Sequence, residues 1–225
     1  MNEDGQRGWA RYRWIFHGVM LSAILLVVVL NLRLRSEREL RQLTLPNESL
    51  PGQSASKLSD YGALPDFALT ERSGQPLKLQ DLRGKVWIAD FIFTHCAGPC
   101  PLMTMRMSKL QESLQKNPDV RLVSFTVDPA RDTPQVLSEY AANYGASRDR
   151  WFFLTGEQAA IYNLATNGFH MAVLEDASGN KQPDHSTRFV LLDRGARIRG
   201  YYDGTSEEAL DQLLKDVSTL LREKQ

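Results

Sequence analysis

Cys96 and Cys100 are the only cysteines in the chain, and they stand four positions apart in the run FIFTHCAGPCP. A secreted disulfide scaffold spreads several cysteines along its length, so a pair this close shares a chemical task instead of stapling loops. The apolar run Val86–Phe93 ends just before the pair, and a helical pattern opens just after it at Pro101. That places both thiols at a strand-to-helix junction. Backbone N–H groups at a helix start favour thiolate over thiol, so two thiolates can exist near neutral pH and both can reach one ion. Such a pair can close a disulfide reversibly or hold a soft metal ion. Spacing leaves both open.

If the ion is a metal, two soft sulfurs favour Cu(I), with zinc next. A structural zinc site wants four ligands, and no further cysteine exists to supply them. Copper accepts low coordination as Cu(I) and can add imidazole as Cu(II), so two sulfurs and one nitrogen suit it. The chain has four histidines, His17, His95, His170 and His185. His17 sits in an apolar run, and His170 follows Gly168-Phe169 in an expected loop. His95 adjoins Cys96, and in an extended chain its side chain points away from that neighbour. His185, by its residue type and place before a strand, is more often structural than a ligand. Met103 and Met107 share a helical stripe with Leu110 and Leu114 and are expected in the core, which leaves Met105 facing outward. Asp128 and Asp132 frame DPARD at a strand end, where they suit a turn or a site edge equally.

The elements that must hold these residues alternate. FALT (Phe67–Thr70) and LKL (Leu77–Leu79) flank a turn at Arg72-Ser73-Gly74-Gln75, which predicts a hairpin. VWIADFIF (Val86–Phe93) is apolar enough for a central strand covered on both faces. A helix from Pro101, a strand at Arg121–Val127 and a helix from the Thr133 cap and Pro134 to about Tyr144 follow. Next come a strand at Trp151–Leu154, a helix at Glu157–Asn167, and strands at Thr187–Asp193 and Ile198–Tyr202 around Arg194-Gly195. The last helix carries Leu210, Leu213, Leu214, Val217, Leu220 and Leu221 on one face. Alternation of this kind predicts an α/β sandwich with a partly parallel central sheet, and the cysteine pair's position gives it a thioredoxin-like layout.

Ahead of this body, Trp14 to Leu30 reads WIFHGVMLSAILLVVVL without a formal charge. At about 1.5 Å per residue the run reaches roughly 26 Å, the short end of what crosses a hydrocarbon core of about 30 Å. Trp9, Tyr12 and Trp14 suit the interface, and no small-residue cleavage motif follows, so an uncleaved anchor is expected. Arg7, Arg11 and Arg13 before the run balance Arg33, Arg35, Arg38 and Arg41 after it, so orientation must come from the body's chemistry. The stretch LPNESLPGQSASKLSD reads as a linker. Lysine plus arginine equals aspartate plus glutamate at 27 each, which argues against nucleic acid as the main partner.

Three separated stretches carry a resemblance. FIFTHCAGPCP, SFTVDPARDTPQVLSEYA and DHSTRFVLLD occur in the order found in the Sco/SenC family of copper-binding proteins, and the resemblance covers roughly residues 62 to 222. Ala97 stands where the family loop usually has proline. The resemblance implies a thioredoxin-like fold with a central mixed sheet flanked by helices, plus an N-terminal transmembrane helix. It implies copper held by Cys96, Cys100 and His185, or redox-active thiols at Cys96 and Cys100. The family delivers copper to, or reduces the thiols of, the binuclear copper centre of cytochrome c oxidase subunit II. The partners implied are therefore that subunit or another copper-site apoprotein, and another periplasmic copper chaperone is a further candidate.

The expected division is a cytoplasmic segment at 1–13, a transmembrane anchor at 14–31, a linker at 32–61 and a thioredoxin-like copper-binding domain at 62–225. Glu3 and Asp4 are unlike a mitochondrial transit peptide, which favours a bacterial inner membrane with the domain in the periplasm. The alternative is a mitochondrial inner membrane facing the intermembrane space.

Overall fold

The computed structural model describes residues 58–96, 98–171, 173–175, 181–183 and 187–223. Within them run β1 (Ala68–Glu71), β2 (Pro76–Lys78), α1 (Leu79–Leu82), β3 (Val86–Ile92), α2 (Cys100–Ser113) and β4 (Val120–Thr126). Then follow α3 (Pro134–Asn143), β5 (Trp151–Thr155), α4 (Gln158–Asn163), a π-helical turn (Leu164–Gly168), β6 (Val173–Glu175) and β7 (Lys181–Pro183). β8 (Arg188–Leu192), β9 (Ile198–Asp203) and α5 (Glu207–Arg222) close the fold. Seven strands form one sheet in the order β2-β1-β5-β4-β3-β8-β9, and β6 pairs with β7 separately. β3, β4 and β5 are parallel, while β1, β2, β8 and β9 each join antiparallel. The expected mixed sheet is present.

All seven residues of β3 are buried, because β4 and β8 flank it and both faces are covered. On one face, Ile88 and Ile92 pack with Met103 and Met107 of α2, Leu137 of α3 and Leu213 and Val217 of α5. On the other, Trp87, Ala89 and Phe91 meet Phe125, Ile161 of α4, Phe169 and Leu79 of α1. Met103 and Met107 are thus core residues, as their spacing predicts, and Met105 is 43% exposed. Ser206 caps α5 by accepting from the Ala209 amide at 3.2 Å, and Leu210, Leu213, Val217 and Leu220 bury its stripe.

Three local differences have physical causes. The helix expected at 157–167 is α-helical only to Asn163 and then widens into the π-helical turn. Packing there is tight: a Cβ on Gly168 would come within 3.0 Å of Leu164 and 3.1 Å of Pro65. In the β8–β9 turn, the positive φ of 59° falls on buried Ala196 and not on Gly195. Asp193 Oδ1 holds the turn by accepting from the Gly195 and Arg197 amides. Residues at the end of the expected linker are tied to β9: the Leu58 and Ser59 carbonyls accept from Arg199, and Asp60 pairs with Arg197 at 2.7 Å.

No helix among the described residues is long and apolar enough to cross a membrane. The expected anchor at 14–31, with His17, lies outside those residues.

Candidate metal centre

β3 and β4 run parallel, so both end at the same edge of the sheet, where an open α/β sheet presents its sites. The chain leaves β3 at Ile92, turns through Thr94 and His95, and enters α2 at Cys100. Pro99 is the cap residue and a proline lies in the first helical turn, where the missing N–H costs no intrahelical bond. Cys96 is half-buried and Cys100 only 3% exposed. Both are free thiols. They sit close enough for the Cys96 side chain to share a hydrogen bond with the Cys100 thiol. The Gly98 amide donates to Cys96 Sγ at 3.4 Å.

At Cys100, burial works against the thiolate that a helix start favours. Burial first, and then the bond with Cys96, push its thiol up to about 12, while the Phe93 backbone amide pulls weakly the other way. A helix-start amide field exists at this position, but desolvation in the packed face outweighs it. The Cys100 proton stays on until something displaces it.

Asp132 brackets the loop. It is wholly buried, and its carboxylate accepts from the Thr94 amide at 3.1 Å, Thr94 Oγ1 at 2.5 Å and Thr126 Oγ1 at 2.5 Å. It therefore ties the segment leading to Cys96 to the end of β4. Asp128 does ordinary turn work: its carbonyl accepts from the Arg131 and Asp132 amides, and its carboxylate pairs with Arg131 at 3.3 Å. The even choice between turn chemistry and site edge splits between the two residues. His95 is exposed and its Nδ1 lies 3.0 Å from Thr94 Oγ1, so it belongs to the bracket's outer side. His170 is also exposed and has a φ of 53°, following Phe169 at the end of the π-helical turn. His185, the third expected ligand, lies outside the described residues, as does Ala97.

Asp90, Thr94 and Thr126 escaped the sequence reading. For Asp90 a signal was present, since it is the one acid inside VWIADFIF. It is wholly buried on the α2 side of β3, and burial pushes its carboxyl up to about 7. A carboxyl raised in the folded state stabilises the fold below its unfolded value and loses that contribution as pH rises through the folded one. From about pH 4 to pH 7 the loss is roughly 4 kcal/mol at about 1.4 kcal/mol per unit. Asp90→Asn is accordingly expected to stabilise the protein at pH 8 and to flatten its pH dependence, read from urea midpoints at pH 5 and pH 8. Equal effects at both pH values would contradict this.

Two free sulfurs held side by side are soft donors of the kind copper takes. Comparison with known proteins agrees with the chemistry. The SCO1/SenC family model matches residues 56–222. The SCO1 protein homolog of Bacillus subtilis is 38% identical over 170 residues, covering 75% of this chain and 87% of that one. The structure of BsSco, described as a member of the Sco family of cytochrome c oxidase assembly proteins with a disulfide switch, is 35% identical. It matches with a TM-score of 0.64 over 75% of this chain and 99% of that one. Bradyrhizobium japonicum ScoI, solved with copper bound, is 25% identical and matches with a TM-score of 0.56 over 68% of this chain and 98% of that one. With the fold, the thiol junction and the family model in agreement, the chain belongs to the SCO1/SenC family.

Proposed function

We propose that the chain is a membrane-anchored copper chaperone that holds copper through Cys96, Cys100 and His185. It serves assembly of the binuclear copper centre of cytochrome c oxidase subunit II or of another copper-site apoprotein. The observation that carries this reading is the free thiol pair at the β3–α2 junction, bracketed by Asp132, in a member of the SCO1/SenC family. The anchor at 14–31 keeps the site near a membrane-bound acceptor, with the domain at 62–225 in the periplasm of a bacterial inner membrane.

Copper is the cargo, and it supplies the Lewis-acid and redox character of the loaded site. The chain's own residues do the rest. Half-buried Cys96 is the sulfur a donor or acceptor protein can reach, while Cys100 is held behind it and loses its proton only on loading. Met105, exposed on α2 together with Leu102, offers apolar surface beside the pair for the acceptor.

A second reading has its own observation. The two thiols are unpaired yet within hydrogen-bond reach of one another, so the site can also work as a thiol–disulfide couple that reduces the acceptor's cysteines. The disulfide switch of BsSco supports this. A strain lacking the chain is expected to lose cytochrome c oxidase activity at limiting copper and to regain it with the wild-type gene, not with Cys96→Ser. His185→Ala separates the readings: it removes Cu(II) binding while leaving thiol exchange intact. Normal oxidase activity in the deletion strain would overturn both.

A further inference from the structure

The thiols occupy the end of the sheet where β3 and β4 finish. The Arg72–Gln75 turn between β1 and β2 lies beside the start of β5, toward the opposite end and three strands along from β3. There a cavity of 250 Å³ opens between that turn, α3 and the loop leading into β5. Arg72 is folded inward, its side chain only 6% exposed. Its Nη2 donates to the Ala146 carbonyl at 3.2 Å, and its guanidinium carbon stands 5.2 Å from the centre of the Phe153 ring. Nε lies 3.5 Å from Glu71 Oε1. Glu71 is fully committed, since Oε1 also accepts from the Phe153 amide at 3.4 Å and Oε2 from the Ser73 amide at 2.6 Å.

Donors remain on the cavity's lining. Nη1 of Arg72 has no hydrogen-bond partner among the described residues. Arg148, exposed at the same cavity, makes neither an ion pair nor a hydrogen bond among them. Its neighbour Asp149 is engaged by the Ser147 hydroxyl, and the Arg148 charge falls on Arg72 as a repulsion. The Ser73 and Ser138 hydroxyls, also on the lining, are uncommitted as well. Leu77 and Phe152 supply an apolar side. One carboxylate balances one guanidinium here, so a single positive charge is left over. Two like charges side by side with unused donors are the arrangement an anion relieves.

We propose that this cavity binds a small organic carboxylate, its oxygens on Arg72 Nη1 and the Arg148 guanidinium and its apolar body against Leu77 and Phe152. A monoanion matches the one unbalanced charge. Guanidinium groups take carboxylates through paired N–H···O bonds, and serine hydroxyls can donate to the remaining lone pairs. The volume falls below the roughly 300–1,000 Å³ of pockets for drug-sized ligands, so the body is small. A free aliphatic or aromatic acid and the C-terminal carboxylate of an apolar residue in a partner chain share this chemistry. The site has no residue in common with the thiol centre, and its test involves no copper.

The test follows backbone amide resonances of the isotope-labelled full-length protein as sodium benzoate is added at low ionic strength. Saturable shifts are expected at Ser73, Leu77, Phe152 and Phe153. Arg148→Gln exchanges an exposed residue and keeps the fold, and it is expected to weaken binding about tenfold. Arg72→Lys keeps the charge and loses the planar fork, with a loss of about tenfold or more. Benzamide, of the same shape without the charge, is expected to bind weaker by about tenfold or more as well. Absence of saturable shifts at these amides, equal affinity for benzamide, or wild-type affinity in either folded variant overturns the proposal. If Arg72→Lys does not fold, Arg148→Gln decides alone. A short leucine-ended peptide and its C-terminal amide then identify the source. Tighter binding of the free-carboxylate peptide than of benzoate assigns the site to a chain terminus, and tighter binding of benzoate assigns it to a free acid.

Discussion

Cys100→Ser is expected to abolish tight one-to-one copper binding, with affinity falling by roughly 10³-fold or more. Changing a group that merely supports a ligand costs about 10–100-fold in metal affinity, and losing a soft ligand costs more. Serine cannot replace it, because a hydroxyl keeps its proton far above neutral pH and is a hard donor. Cys100 is nearly buried, so a serine hydroxyl there costs roughly 1–3 kcal/mol of stability, and affinities are compared on protein shown to be folded. The pH dependence of the wild type has a definite sign. Burial holds the Cys100 proton up to about 12, so copper must displace it throughout the neutral range. Apparent affinity therefore rises with pH, by about tenfold per unit for each proton displaced. In Cys100→Ser that slope is reduced by one proton. Competition titration at several pH values measures both. Retained affinity, or a slope unchanged by the substitution, would contradict the assignment.

Asp132→Ala is expected to have the second largest effect, and on two properties at once. Its carboxylate satisfies the Thr94 amide, the Thr94 hydroxyl and the buried Thr126 hydroxyl. Alanine leaves those donors without acceptors, at a cost of roughly 3 kcal/mol. For a domain of this size that lowers Tm by about 10 °C. The same change frees the segment before Cys96, so copper affinity is expected to drop by about 10–100-fold, as when any ligand-supporting group is lost. Asp132→Asn retains one acceptor oxygen and should recover part of both. A normal Tm with normal copper affinity in Asp132→Ala would show that the bracket holds nothing.

Much of what positions the thiols was legible because it is local. The apolar run ending at Phe93, the prolines at 99 and 101 and the Thr133–Pro134 helix start each act over a few residues. Thr133 does cap α3, accepting from the Val136 amide at 3.4 Å. Non-local facts were not legible. Asp132 and Thr94 are 38 positions apart, and only the parallel pairing of β3 with β4 brings them together. The acid in VWIADFIF is visible in the sequence. That it is wholly buried depends on α2 and α5 covering this face of β3. The raised Cys100 thiol is a packing effect that a helix-start argument cannot contain, since burial by α2 and the sheet decides it. His185 was reached only through resemblance, and neither it nor the anchor at 14–31 falls among the described residues.

The most direct measurement is X-ray absorption of the purified protein loaded with one equivalent of copper, beside His185→Ala loaded in the same way. The account predicts two sulfur scatterers and one imidazole nitrogen in the wild-type Cu(II) protein, while His185→Ala retains no Cu(II) and holds copper only as Cu(I), on the two sulfurs and without an imidazole signal. A copper environment of nitrogen and oxygen alone, or an imidazole signal that persists in His185→Ala, would contradict it.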